Sequence, residues 1–235
     1  MSGLRVPAAW PRVRRLARPD LVAMAPPLTP EGFAAETGVS RETLSKLERL
    51  TELLLKWQRA INLVAANSLS DVWRRHILDS AQLYPLLPPN CRTVLDIGSG
   101  AGFPGLVLAA MGVADVHSVE SDQRKCAFQR EAARVAGLSV TIHAQRVESL
   151  PKMQADAIIS RACADLPQLL EYAYPFVAPS SWCLFLKGQQ VERELTEAGK
   201  GWKMQTERFP SRTDPSGTVL RLSHVEPLRP HRDER

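Results

Sequence analysis

No apolar run in this 235-residue chain is long enough to cross a bilayer, which excludes a helical membrane protein. The four cysteines, Cys91, Cys126, Cys163 and Cys183, include no Cys-x-x-Cys pair. Neither a zinc site nor a dithiol redox centre is indicated, and no metal is expected. They read as reduced thiols of a cytosolic protein, three of them in or beside core elements. No internal repeat is visible. Acids are almost missing from residues 1–29, where Arg5, Arg12, Arg14, Arg15 and Arg18 face Asp20 alone. That stretch is Arg- and Pro-rich without a clear period, so disorder is expected. It reads as an organellar presequence, an RNA-binding tail, or the product of an upstream start codon ahead of Met24. The rest of the chain is nearly neutral. The formal net charge of +5 therefore argues only weakly for an acidic partner such as RNA.

Ordered structure begins at Thr29-Pro-Glu-Gly, an N-cap with proline at the first helical position. Ser40 caps a longer helix whose apolar face is Leu44, Leu47, Leu50, Leu54, Trp57 and Ile61. Ser70-Asp71 is expected to cap a third, carrying Val72, Trp73, Ile77, Leu78, Leu83 and Leu86 and ended by Pro88-Pro89. Residues 30–89 thus read as a small helical cap. In the third helix His76, Asp79 and Ser80 are spaced i, i+3 and i+4, hence on one face. They form either a polar cluster aimed at a ligand or an ion pair on a solvated face.

From Cys91 strands and helices alternate, the pattern of a parallel sheet covered on both faces. The first unit is Thr93-Val-Leu-Asp-Ile-Gly-Ser-Gly-Ala-Gly-Phe-Pro-Gly105. It is a buried strand, a glycine loop with Gly98, Gly100 and Gly102, and a helix start. Asp96, before the glycines, is placed to hold the loop or a cationic ligand. Later strands are expected over 116–120, 138–144, 155–160 and 181–187, with helices over 123–136, 166–174 and 190–199. An antiparallel pair, 203–209 and 218–224, flanks the Asp214-Pro-Ser-Gly217 turn. The fold class is α/β, a doubly wound Rossmann-like sheet over residues 90–226, followed by a polar, frayed tail at 227–235.

Ligands of such sheets bind outside the carboxyl ends of the strands. Glu120 ends the second strand and suits ribose hydroxyls, in a dinucleotide as well as in other nucleosides. Strand, aspartate and Gly-x-Gly-x-Gly resemble the first motif of class I S-adenosylmethionine (AdoMet) methyltransferases. That resemblance implies that Arg146, Val147 and Glu148 edge the adenine and that Arg161 lies beside the methionine moiety or the incoming base. Lys187 ends the fifth strand and is expected at the same mouth. Two cations there suit a polyanionic substrate or guanine O6. No Asp/Asn-Pro-Pro-Tyr/Phe motif follows the fourth strand and no Pro-Cys nucleophile is present. Cys163 reads as a small buried residue, with a pyrimidine-attacking nucleophile as the alternative. Guanine N7 has an in-plane lone pair and no proton to lose, so transfer to it requires positioning rather than a base.

Several segments together resemble the ribosomal RNA small subunit methyltransferase G family over roughly residues 30–225. They are Lys56-Trp57 with Asn62-Leu63, Arg75-His-Ile-Leu-Asp-Ser80, Asp96–Gly105, Arg146-Val-Glu148, Ser160-Arg-Ala162 and Leu186-Lys-Gly188. The resemblance implies a bacterial cytoplasmic enzyme that methylates N7 of one guanine in the 530 loop of 16S rRNA. It further implies that Gly98, Phe103, Val147, Glu148 and Arg161 contact AdoMet and that His76 and Asp79 face the active site. Where family members often carry Arg-His entering the last strand, this chain has Gly217-Thr218-Val219. Two other readings stay open on the residues. One is an AdoMet methyltransferase for a small molecule or protein; the other is a non-catalytic NAD- or RNA-binding module. Asp96 disfavours NAD, because dinucleotide folds usually carry an apolar residue there.

Overall fold

The computed structural model describes residues 26–161 and 163–228. The expectations of a disordered start and a frayed tail fall mainly on residues outside that range. Seven strands form one sheet in the order β3-β2-β1-β4-β5-β7-β6. The strands are β1 (Thr93–Ile97), β2 (Asp115–Val119), β3 (Val140–His143), β4 (Ala155–Arg161), β5 (Val177–Lys187), β6 (Trp202–Pro210) and β7 (Thr218–Pro227). β1 to β5 run parallel, and β7 pairs antiparallel with both β5 and β6. The strand order reverses between β1 and β4, and the carboxyl ends there open a crevice.

The helices follow the sequence signals. α1 (Pro30–Thr37) starts on the Thr29 side chain, and α2 (Arg41–Trp57) starts on Ser40. α2 stops at Trp57, four residues short of Ile61, which packs as a partly buried residue beyond the helix. α3 (Gly105–Ala110) and α4 (Gln123–Ala136) follow β1 and β2. Asp122 caps α4, and Gly137 ends it at φ 64°. α5 (Leu166–Ala173) and α6 (Val191–Ala198) complete the set.

The expected third helix is not one α-helix. It is a 3₁₀ turn at Ala66–Asp71, a π turn at Trp73–Leu78, a short α turn at Asp79–Ala81 and a second 3₁₀ turn at Tyr84–Leu86. Ser70-Asp71 is no N-cap. Asp71 instead accepts from the Leu28 N–H and from Arg74. In the π turn the Asp79 N–H reaches back to the Arg74 carbonyl, five residues earlier.

The core has a part on each face of the sheet. Leu95, Ile97, Ile158 and Phe185 pack under α5 and α6, while Val94, Val116, Ile159 and Leu184 pack with Leu108 and Leu83. The cap contributes Phe33, Leu47, Leu50, Leu54 and Ile77 to a third cluster that also holds Phe103, Leu106 and Phe128. Each of those side chains contributes about 1.5–3 kcal/mol by leaving water. The cap is therefore fastened to α3 and α4 by shared apolar burial, and this holds the π turn against the carboxyl end of the sheet.

Candidate active site

The glycine loop begins where β1 ends. Gly98 has φ 65°, and a Cβ there would lie 2.2 Å from the Cys163 Sγ. Only glycine lets the segment after β4 pass so closely. Gly100, at φ 57°, has nothing within 4 Å of a built Cβ and faces open space. Its N–H donates to Glu120 Oε2 at 2.9 Å. The other Glu120 oxygen accepts the Asp122 N–H at 2.7 Å, so this acid ties β2 to the loop while lining the cleft. Gly102, expected at the cofactor, does not line the cleft. A Cβ there would meet Leu106 at 2.4 Å, so packing on α3 explains its glycine. Asp96 is fully buried, and its Oδ2 accepts the Gly105 N–H at 2.8 Å. It braces the loop from behind, and Oδ1 has no partner. Burial pushes its pKa up to about 7, against the opposing pull of the Gly105 hydrogen bond and Arg161.

A cleft of about 690 Å³ lies over this loop. One wall carries Gly98, Gly100, Phe103, Glu120 and the turn residues Arg146, Val147 and Glu148. A second wall, which adjoins the first where Arg161 and His76 meet Phe103, carries Arg75, His76, Asp79, Arg161 and part of the loop between β6 and β7. His76, Asp79 and Arg161 form one polar unit. Arg161 Nη1 donates to Asp79 Oδ2 at 3.2 Å and to the Arg75 carbonyl at 3.1 Å, and Nη2 lies 3.0 Å from His76 Nδ1. A guanidinium only donates, so Nδ1 accepts and the ring proton sits on Nε2. Nε2 then donates to Ser68 Oγ at 2.7 Å, which donates to the Ala65 carbonyl. Burial, then the charges of Arg161 and Arg75, press the His76 pKa down to about 3, so the ring is neutral. The Arg161 guanidinium stands 5.4 Å from the Phe103 ring centroid, and His76 packs on the same ring.

Three expectations change. Ser80 does not join this unit through its side chain; its hydroxyl is buried and bonds back to the His76 carbonyl at 2.6 Å. Lys187 touches the cleft, but its ammonium is not free at the mouth. It pairs with Glu194 and donates to the Ala164 carbonyl, with 7% of the side chain exposed. Cys163 is exposed rather than buried. Its Sγ abuts Gly98, and desolvation, followed by the charges of Asp96 and Glu120, raises the thiol pKa. That disfavours a thiolate nucleophile.

Three residues escaped the sequence reading. Buried Gln129 donates from Nε2 to Ser99 Oγ and to the Gly100 carbonyl, fixing the loop. A glutamine on the apolar face of α4, beside Phe128 and Ala132, is the signal that marks it. Ser68 and Thr213 join the His76–Arg161–Asp79 unit from a 3₁₀ turn and a loop, and no spacing announces either. Among the described residues no group of three or more His, Cys, Asp or Glu side chains converges to hold a metal ion.

The family model for GidB, rRNA small subunit methyltransferase G, matches residues 43–214. The chain belongs to this family. A ribosomal RNA small subunit methyltransferase G of Rhodospirillum centenum is 55% identical over 203 residues, covering 86% of this chain and 94% of the relative. That of Rhodospirillum rubrum is 53% identical over 198 residues, covering 84% and 98%. Among solved structures, a TehB-like SAM-dependent methyltransferase from Corynebacterium glutamicum superposes with TM-score 0.52 at 14% identity, covering 75% of this chain and 98% of that one. A ribosomal protein L11 methylase from Lactobacillus delbrueckii gives 0.51 at 14% identity, over 61% and 75%. At such identity these structures speak for the fold alone. The methyltransferase G family is thus built on the class I AdoMet-methyltransferase sheet, here with the helical cap packed on α3 and α4.

Proposed function

We propose that this chain transfers a methyl group from AdoMet to N7 of one guanine in the 530 loop of bacterial 16S rRNA, in the cytoplasm. The observation that carries the reading is the pairing of two walls across one cleft. A glycine loop with open space at Gly100 and a carboxylate at Glu120 shares the cleft with a fixed guanidinium.

AdoMet supplies an electrophilic methyl on a sulfonium. The residues present fit it. Gly98, Gly100 and Phe103 make the floor, Glu120 has lone pairs left for ribose hydroxyls, and Arg146, Val147 and Glu148 edge the adenine end. Asp96 holds the loop from below. Arg161 presents its planar fork at the junction of the two walls, where a carboxylate or guanine O6 is recognised.

The second wall supports an acceptor that keeps no proton at the reacting atom. Both His76 ring nitrogens are engaged, at Arg161 and Ser68. Asp79 accepts from Arg161, Gln82 and Thr213. Neutral His76 has no free ring lone pair left to take a proton, and N7 has none to give. Arg161 instead positions the base and draws charge toward O6.

The names carried by the relatives support ribosomal RNA as the substrate. The test is mass-spectrometric mapping of 7-methylguanine in 16S rRNA from cells with and without this protein. A guanine in the 530 loop should lose its methyl when the protein is removed. Unchanged methylation there, or transfer only to metabolites or proteins in vitro, would refute the assignment.

A further inference from the structure

The first residues of the loop between β6 and β7 are buried, although its tip at Pro215 and Ser216 is exposed. Ser211 is 6% exposed and Thr213 4%. Ser211 Oγ accepts the N–H groups of Thr213 and Asp214 at 3.2 and 3.3 Å. Thr213 Oγ1 donates to Asp79 Oδ1, a carboxylate that can only accept. The Ser211 hydroxyl, 3.1 Å from Thr213 Oγ1, must then be the donor of that pair. Gln82 Nε2 reaches the same Asp79 oxygen at 2.9 Å, and Gln82 Oε1 accepts the Arg212 N–H at 2.9 Å. Arg212 also donates to Glu36 at 2.7 Å, which ties the loop to α1. Polar contacts thus run in one direction, from Ser211 to Thr213 to Asp79. Asp79 in turn receives Arg161 on its other oxygen.

We propose that Thr213 is a positioning residue: its hydroxyl fixes the Asp79 carboxylate, and through it the plane of the Arg161 guanidinium. This rests on the reading of the cleft as a methyl-transfer site. A carboxylate just after a π turn can rotate about its side-chain bonds. With Oδ1 held by two donors, Oδ2 has one direction left, toward Arg161. Arg161 lies about 50 residues before Thr213 in the chain, so only the fold brings the two to opposite sides of one acid. The β6–β7 loop is therefore part of the site's scaffold.

Thr213→Val keeps the branched shape and removes the donor. Turnover on 16S rRNA should fall by roughly tenfold, the scale of one hydrogen bond to a charged group. Thr213→Ser should restore it. In an Arg161→Lys background, where the planar fork is already gone, Thr213→Val should change turnover by less than about twofold. A loss of equal size in both backgrounds, or wild-type turnover of Thr213→Val, would overturn the proposal. The ¹⁵N signals of the Arg161 guanidinium provide a second readout that does not depend on methyl transfer. They should be sharp in the wild type and in Thr213→Ser and broadened in Thr213→Val; no difference would also overturn it. If Thr213→Val does not fold, Thr213→Ala serves in both measurements. Absence of rRNA methylation by the wild type would refute the function while the guanidinium spectra still judge the scaffold.

Discussion

Single residues carry opposite burdens in this cleft. At Gly100 a side chain meets nothing in the protein, yet its backbone stands at φ 57° and its Cβ direction opens into the cleft. Gly100→Val should leave the protein folded, at a strain of about 1–2 kcal/mol. AdoMet affinity, read by calorimetric titration, should fall by more than tenfold; near-normal binding would sink the cradle. Asp96 offers a different check. Its carboxyl titrates near pH 7 when folded, against an ordinary 3.8. Between pH 4 and 7 the folded protein thus holds a proton that the unfolded chain has released. Stability from this group is greatest at the acid end of that window and is lost as pH rises to 7. His76 works the other way. Its folded pKa lies near 3 against 6.5, so stability is lost as pH falls through that range. The His76 contribution is common to wild type and Asp96→Asn and cancels between them. Urea unfolding should show Asp96→Asn gaining on wild type from pH 5 to pH 8; a pH-independent difference would contradict the raised pKa.

Elements hold these residues by means the sequence reveals unevenly. Lys187 and Glu194 pair across the start of α5, where Glu194 also accepts the Leu166 N–H and Lys187 holds the Ala164 carbonyl. Lys187→Ala leaves Glu194 largely buried without its cation. We expect a loss of about 3 kcal/mol in unfolding free energy, with a smaller loss in Glu194→Gln. A change under about 0.5 kcal/mol would mean the pair is effectively solvent-screened. The sequence places Lys187 at a strand end correctly but cannot say which way its flexible stem turns, because Glu194 sits on a separate helix. The parallel strands and α4 were legible because apolar runs, the Asp122 cap and Gly137 are local signals. The segment 66–86 was not. Its apolar spacing suits a single amphipathic helix, and π winding has no composition of its own. Asp96, Glu120 and Arg161 were readable as strand-end residues, whereas Thr213 and Ser68 depend on contacts that only tertiary structure creates.

At the scale of the molecule, cap and sheet share one apolar cluster through Phe103, Leu106 and Phe128. A chain beginning at residue 90 would leave those side chains against water. It should be insoluble or lack a cooperative thermal transition, whereas a chain beginning at residue 26 should unfold cooperatively. A soluble, cooperatively folding 90–235 fragment would show that the cap is an independent layer. The two walls of the cleft are thus joined through the core as well as through the contacts of Arg161 and His76 with the Phe103 ring.

The π turn at Trp73–Leu78 makes the site sensitive to chain length in a way no substitution probes. A π turn holds one residue more than the α turn it replaces. Removing one residue there would allow an ordinary α turn to close, at no cost in hydrogen bonds. Each residue of an α-helix advances about 100°. The part of the segment before the deletion would therefore swing by about that angle relative to Asp79. With the deletion placed between His76 and Asp79, His76 would leave Phe103 and Arg161. Point changes at exposed Arg75 leave this winding intact, but a single-codon deletion of Ile77 would dismantle the wall without altering any residue that lines it.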